Sequence, residues 1–122
     1  MSRQRSLRVL DEAVELAAEV YQVTSMLPKE EVYGLQAQMR RAAVSVASNI
    51  AEGANRRSDK DFARFLAMSE GSLAELRVQA REAVRLDLLD NGAFSDCLGR
   101  ISRLERGLSS LRRRLTTETL TK

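Results

Sequence analysis

The sequence predicts an all-α fold, an antiparallel four-helix bundle with up-down-up-down connections. Apolar residues recur at helical spacing along most of the chain, and no segment alternates apolar and polar residues as a strand does. Turn-forming residues are rare, with one proline and six glycines in 122 residues. Because long helices joined by short connections favour antiparallel neighbours, we predict one bundle domain spanning residues 1–122.

Four helices are expected, at about residues 6–26, 29–52, 58–88 and 92–116. The first ends before Pro28, because proline disfavours helix in the residue before it. Its predicted apolar stripe is Leu7, Leu10, Ala13, Val14, Ala17, Val20, Tyr21 and Thr24. The second helix is expected to stop at Gly53, since glycine commonly ends helices in a left-handed conformation. Its predicted core stripe is Leu35, Met39, Ala42, Ala43, Val46 and Ile50.

The third and fourth helices carry apolar seams at heptad spacing. Ser58 followed by Asp61 resembles a capping box that opens the third helix. Its seam is Phe62, Leu66, Ser69, Leu73, Leu76, Ala80 and Ala83. The seam of the fourth is Phe94, Cys97, Ile101, Leu104, Leu108, Leu111 and Leu115. The only cysteine therefore falls on a core stripe and is interpreted as a small core residue, and the tail beyond residue 116 is expected to fray.

The second helix contains an unusual polar strip around the stretch SVASNIAEG, residues 45–53. The strip consists of Gln38, Arg41, Ser45, Asn49 and Glu52, while the remaining faces are almost entirely small or apolar. A helix with so little solvated surface is usually buried, so it is expected either in a subunit interface or against other helices. Gly71 and Ser72 offer a matching notch on the third helix, and Arg41 is expected to pair with Glu75 or Glu52. With Gly53, these residues are interpreted as specifying packing and oligomer register, in preference to a catalytic or ligand site.

Two arginine rows suggest a surface for a polyanion. On the fourth helix, the side opposite the seam carries Arg100, Arg103, Arg106, Arg113 and Arg114. On the third helix, the row is Arg77, Arg81 and Arg85. No aromatic residue lies among the fourth-helix arginines, so binding would be directed at the phosphate backbone. The alternative is that these charges only keep an exposed helix face soluble.

Several function classes are disfavoured. The chain has no histidine, which removes the commonest general base and metal ligand, so no enzyme activity, metal or cofactor is predicted. No apolar run approaches the roughly 20 residues that cross a bilayer, and the N-terminus does not resemble a secretory signal. We therefore expect a cytoplasmic protein without a membrane partner.

Residues 27–76 carry a signature that resembles a known family. The stretch reads LPKEEVYGLQAQMRRAAVSVASNIAEGANRRSDKDFARFLAMSEGSLAEL. It is similar to the four-helix bundle proteins of the 23S rRNA intervening-sequence family. The resemblance implies a cytoplasmic bacterial bundle without enzymatic activity that assembles as a homo-oligomer, with a ring-shaped pentamer as the expectation. Some members are encoded inside insertions of 23S rRNA genes, and the wider family includes the accessory protein of diversity-generating retroelements, which works with a reverse transcriptase and nucleic acid.

Two functional hypotheses follow. The first is a non-enzymatic oligomeric module that binds structured RNA, such as rRNA, or DNA through its basic arginine face. The second is a protein-interaction ring that does not bind nucleic acid, in which the acidic first helix or the ring face docks another protein such as a reverse transcriptase. The sequence leaves open which partner is physiological and how many subunits assemble.

Overall fold

The protein, described here by a computed structural model, consists of four α-helices. They are α1 (Ser2–Thr24), α2 (Ala37–Ala54), α3 (Asp59–Arg85) and α4 (Asn91–Thr121). The structure describes the backbone of residues 2–121 and the side chains of residues 4–117. Within residues 2–121 there is no strand, so the prediction of an all-α chain with four helices is confirmed. The main contacts join α1 to α2 and α4, and α3 to the same two helices.

The second α-helix begins later than expected because residues 29–36 wind differently. Lys29–Glu31 form a 3₁₀ turn and Val32–Gln36 a π-helical segment, in which Gly34 has non-helical angles of φ −104° and ψ −109°. The Gln36 side-chain amide donates to the Thr24 carbonyl oxygen at 2.9 Å, which ties this segment to the end of α1. The backbone has α-helical angles again at Gln36, and the regular helix starts at Ala37.

Gly53 does not cap α2, so that prediction is wrong. The helix continues to Ala54 and ends at Asn55, and no glycine among the described residues has a positive φ. Gly53 is instead buried against α3, where an added Cβ would lie 2.7 Å from the Phe65 Cβ and 2.9 Å from the Phe62 Cδ1. Its lack of a side chain is required by close packing between two helices rather than by a left-handed turn.

Helix α3 has well-defined ends. The Ser58 hydroxyl accepts a hydrogen bond from the Asp61 backbone N–H at 3.1 Å, which confirms it as the N-cap. At the other end, Asp87 adopts a left-handed φ of 61°, and the Leu88 N–H donates to the Ala83 carbonyl oxygen at 2.8 Å. The same turn brings the Asp87 N–H to the Val84 carbonyl oxygen at 3.0 Å, completing a Schellman-type termination before α4.

The core combines one apolar stripe from each helix. Every residue of the seams predicted for α3 and α4 is buried, as are the predicted α2 residues from Met39 to Ile50, while Leu35 is half-buried. Helix α4 continues to Thr121, beyond the point where we expected fraying.

The α1 stripe was predicted wrongly in part. The buried residues of α1 are Ser6, Val9, Ala13, Leu16, Val20, Val23 and Thr24.

Three predicted core residues of α1, namely Leu7, Val14 and Tyr21, are exposed. The cause is that α1 carries two apolar stripes on different sides of the helix. Hydrophobic periodicity identifies both stripes, and only the tertiary contacts decide which of them faces the core.

Candidate interaction surfaces

The polar strip of α2 faces α3 and forms one wall of a groove. This α2–α3 groove has a volume of about 500 Å³. It is lined by Gln38, Arg41, Ala42, Ser45, Ser72, Glu75 and Gln79. At its floor the Ser45 and Ser72 hydroxyls are 2.9 Å apart and hydrogen-bonded, and the Asn49 amide donates to the Ser45 carbonyl oxygen at 2.9 Å and to the Ser45 hydroxyl at 3.1 Å. These three polar side chains thus satisfy one another across two helices.

Ser72 and not Gly71 is the residue that meets α2. Gly71 is exposed, and an added Cβ there would have no atom within 4 Å. The predicted notch is therefore correct for Ser72 and wrong for Gly71, which faces away from α2 along the outer surface of α3. The buried hydroxyl of Ser69, a seam residue, also donates to the Val46 carbonyl oxygen of α2.

The charged residues at the rim of the α2–α3 groove do not form the predicted ion pairs. Arg41 and Glu75 line the same groove and are both exposed, but among the described side chains Arg41 forms no ion pair with Glu75 or Glu52. Glu52 lies 3.8 Å from Arg56 instead, in an exposed pair one helical turn apart. The predicted Arg41 pairing is therefore wrong. Inside the groove, the Gln79 amide oxygen is buried and has no hydrogen-bond partner among the described residues.

Three of the predicted α4 arginines form an exposed basic row. Arg103, Arg106 and Arg113 are exposed, and none of them forms an ion pair with a described side chain. They lie on the side of α4 opposite the buried seam, which leaves their guanidinium groups free to meet an external anion. We call these three residues the α4 arginine row. Arg114 lies partly buried beside them and has a partner within the described residues.

Other arginines connect the helices. The Arg77 guanidinium of α3 contacts the Glu105 carboxylate of α4 at 2.6 Å and donates to the Ser102 hydroxyl at 2.9 Å. This hydrogen bond to Glu105 raises the pKa of Arg77. The charge of Arg77 is thus compensated within the chain.

Two further ion pairs tie α4 to its neighbours. The Arg100 Nε lies 3.1 Å from the Glu19 Oε1 of α1, close enough for an ion pair although the geometry is not that of a hydrogen bond. Arg112, which sequence reasoning missed, hydrogen-bonds the Glu70 carboxylate of α3, and this contact raises the pKa of Arg112. Both ion pairs join residues of different helices, so the spacing of residues along one helix could not predict them.

Arg81 and Arg85 belong to a second, larger groove. This α3–α4 groove, of about 1140 Å³, lies at the end of α3 and the start of α4. It is lined by Arg77, Val78, Arg81, Glu82, Val84, Arg85, Leu86, Asn91, Gly92, Phe94, Ser95 and Leu98. Val78 and Leu86 are 54% and 64% exposed, so the groove combines apolar surface with two exposed arginines. Sequence analysis found these arginines but not the apolar surface beside them.

A third surface follows the outer side of α1. Leu7 and Val14 are 57% and 53% exposed, and Tyr21 is also exposed although the Arg40 guanidinium lies over its ring at 4.4 Å. With Asp11 and Ala18, which are exposed too, these residues recur in steps of four and three. We call Leu7, Asp11, Val14, Ala18 and Tyr21 the α1 outer stripe. Several exposed apolar side chains on one face of a helix are typical of an interaction site.

The buried thiol offers no reactive site. Burial, and secondarily the Glu19 carboxylate, raises the pKa of Cys97 to about 12, against a smaller lowering by Arg100. A thiol that stays protonated at neutral pH is a poor nucleophile and a poor metal ligand. Among the described side chains, no group of three acidic or cysteine residues could hold a metal ion. Within residues 2–121, no helix has both the length and the apolar character that crossing a bilayer requires.

Comparisons with known proteins agree with this fold. No curated protein matches the chain. A crystal structure of a protein of unknown function from the S23 ribosomal protein family of Bacteroides thetaiotaomicron VPI-5482 matches with a TM-score of 0.82 and 18% identity, covering 89% of this chain and 98% of that one. At that identity the likeness shows the fold alone. Residues 5–110 match the family model of the 23S rRNA-intervening sequence protein, which spans most of the chain, and the protein therefore belongs to that family.

Proposed function

We propose that this protein is a non-enzymatic module that associates with copies of itself and binds the phosphate backbone of structured RNA or DNA through the α4 arginine row. The observation that carries the proposal is the exposure of Arg103, Arg106 and Arg113 on one face without ion pairs among the described side chains. Three other arginines, Arg77, Arg100 and Arg112, are compensated by acidic residues of neighbouring helices. The family description, an rRNA intervening-sequence protein, makes structured RNA the first probe.

The geometry of the row favours binding to phosphates without reading bases. Arg103 to Arg113 span about 15 Å of helix at 1.5 Å per residue. Successive phosphates of one duplex strand lie about 3.4 Å apart along the axis, so one copy reaches only a few of them. Binding by this surface gains strength when copies assemble and their rows join, which links the polyanion proposal to self-association. Because no aromatic side chain lies in the row, specificity would come from the shape of the nucleic acid.

Contacts between helices support an antiparallel up-down bundle within each copy. Early residues of α1 meet late residues of α4, as in the hydrogen bond from Arg5 to Ser110 at 3.1 Å, and Glu19 meets Arg100 further along. The same reversed order links Ser45 to Ser72 and Gly53 to Phe62 between α2 and α3. A homo-oligomeric ring in the cytoplasm, with five copies as the expectation, completes this proposal.

The test is a fluorescence-anisotropy titration of nuclease-treated protein against a labelled rRNA hairpin across a salt series. Wild-type affinity should fall linearly in log salt, and Arg103→Glu with Arg106→Glu should abolish binding while the helical circular-dichroism spectrum stays unchanged. The matched control is Arg57→Glu with Lys60→Glu, which changes the net charge equally at two exposed residues outside α4. Equal weakening in both double variants would contradict a binding site on α4.

A protein-docking ring is the second candidate, and the exposed apolar surface of the α3–α4 groove favours it. In that case copies would still assemble, but partner proteins, a reverse transcriptase among them, would bind without nucleic acid. Pull-downs that survive nuclease treatment, combined with no hairpin binding at low salt, would replace the first candidate by this one.

A further inference from the structure

The α3–α4 groove and the α1 outer stripe are complementary in character. At the groove, exposed Val78 and Leu86 flank Arg81 and Arg85, neither of which forms an ion pair with a described side chain. Glu82 also lines the groove, so the two arginines outweigh one acid. The groove is therefore an apolar surface with a positive rim.

The α1 outer stripe has the opposite charge. Exposed Leu7 and Val14 flank the exposed Asp11, and Glu15 is exposed beside them. Neither carboxylate forms an ion pair with a described side chain, and the two acids outweigh the exposed Arg8 beside them. The stripe is an apolar surface with a negative rim, on a helix that packs its other stripe into the core.

The spacings of the two surfaces agree. Leu7 and Val14 are separated by about 10.5 Å along α1, and Val78 and Leu86 by about 12 Å along α3, at 1.5 Å per residue. Asp11 and Glu15 are four residues apart, as are Arg81 and Arg85, so each charged pair spans about 6 Å on one helix face. Two apolar anchors and two ion pairs can therefore form together when the helices lie side by side.

We propose that the α1 outer stripe of one copy docks in the α3–α4 groove of the next copy, with Asp11 and Glu15 meeting Arg81 and Arg85. The proposal rests on the self-association stated above and names the surfaces that carry it. Because the stripe and the groove are different parts of the same chain, the contact is heterologous, and repetition of it generates a ring or a filament.

This contact divides the predicted arginines between two tasks. Arg81 and Arg85 hold the neighbouring copy, whereas Arg103, Arg106 and Arg113 remain available for a polyanion. Charge reversal at Arg81 and Arg85 should therefore prevent assembly. Charge reversal within the α4 arginine row should remove polyanion binding without changing the mass of the assembly.

The experiment measures mass by light scattering during size-exclusion chromatography. The groove variant is Arg81→Glu with Arg85→Glu, and the stripe variant is Leu7→Glu with Val14→Glu. Each alone should run at the 13.6 kDa of one chain. An equimolar mixture should form a 1:1 pair and nothing larger, because the two negative surfaces repel each other while one intact stripe and one intact groove remain.

The outcomes of this experiment distinguish the docking contact from self-association in general. Wild-type protein that is oligomeric while both variants keep its mass would overturn the docking contact and leave self-association standing. A mixture that stays at the mass of one chain would also overturn the contact. Wild-type protein that is monomeric at every concentration would overturn both. Arg81→Ala with Arg85→Ala, which only removes the charges, should shift dissociation to higher protein concentration, and Arg57→Glu with Lys60→Glu should not change the wild-type mass.

Discussion

Two helical glycines of the family signature lie in very different surroundings. Gly53 is buried between α2 and α3, where a Cβ would approach the Phe65 Cβ to 2.7 Å, whereas Gly71 is exposed in the middle of α3 and a Cβ there would meet nothing within 4 Å. Glycine in a helix interior costs roughly 0.5–1 kcal/mol relative to alanine. Close helix packing offsets that cost at Gly53, and nothing within the described chain offsets it at Gly71.

The residues of the signature therefore lie in two different environments. Four of these residues position α2 against α3 inside one copy. Gly53 allows close packing of the two helices, and the side chains of Ser45, Asn49 and Ser72 hydrogen-bond one another. Gly71 has no such role. It lies seven residues before Val78 and so on the same outer face of α3, beside the groove proposed to hold a neighbouring copy.

The largest effect is expected for Gly53→Ala. The new methyl group would overlap with the side chains of Phe62 and Phe65, so the helices must separate locally, and overpacking of this kind lowers the free energy of unfolding by about 1–3 kcal/mol. Urea denaturation followed by circular dichroism measures the loss. An unchanged or higher midpoint would contradict the close-packing explanation for this glycine.

A smaller effect is expected for Ser45→Ala. The change removes the hydrogen bond to the Ser72 hydroxyl and the acceptor for the Asn49 amide, which should lower the free energy of unfolding by about 0.5–1.5 kcal/mol. Ser48→Ala is the matched control, because Ser48 is exposed on the same helix. Equal denaturation midpoints for the two variants would show that the polar floor of the α2–α3 groove contributes nothing to stability.

The smallest effect, and one of opposite sign, is expected for Gly71→Ala. Alanine is the better helix former by about 1 kcal/mol, and its methyl group would project into open space, so the free energy of unfolding should rise by up to that amount. The measurement is made in urea at low protein concentration, where copies dissociate. A loss of stability under these conditions would mean that Gly71 has a packing role inside its own chain.

Sequence reasoning succeeded where one helix contains one apolar stripe. Every residue that we predicted in the heptad seams of α3 and α4 is buried, from Phe62 to Ala83 and from Phe94 to Leu115. It failed on α1, because that helix has two stripes and periodicity cannot tell an internal face from an external one. It also failed at Gly53, since a left-handed cap and a close helix contact favour the same residue.

The candidate surfaces could be predicted only in part, for a related physical reason. Exposure of Arg103, Arg106 and Arg113 follows from their place opposite a seam, and was predicted. The pairing of Arg77 with Glu105 and of Arg112 with Glu70 depends on how α3 and α4 are rotated against each other, which spacing within one helix does not specify. The apolar walls of the α3–α4 groove likewise arise only when two helices and their turn come together.

We propose above all that copies of this chain associate, with the exposed apolar stripe of α1 meeting the groove of α3 and α4. The most direct test is the mass of wild-type, nuclease-treated protein in solution, measured by light scattering over a range of concentrations. We predict a defined multiple of 13.6 kDa that falls toward the mass of one chain on dilution. A constant mass of one chain, up to the highest attainable concentration, would contradict it.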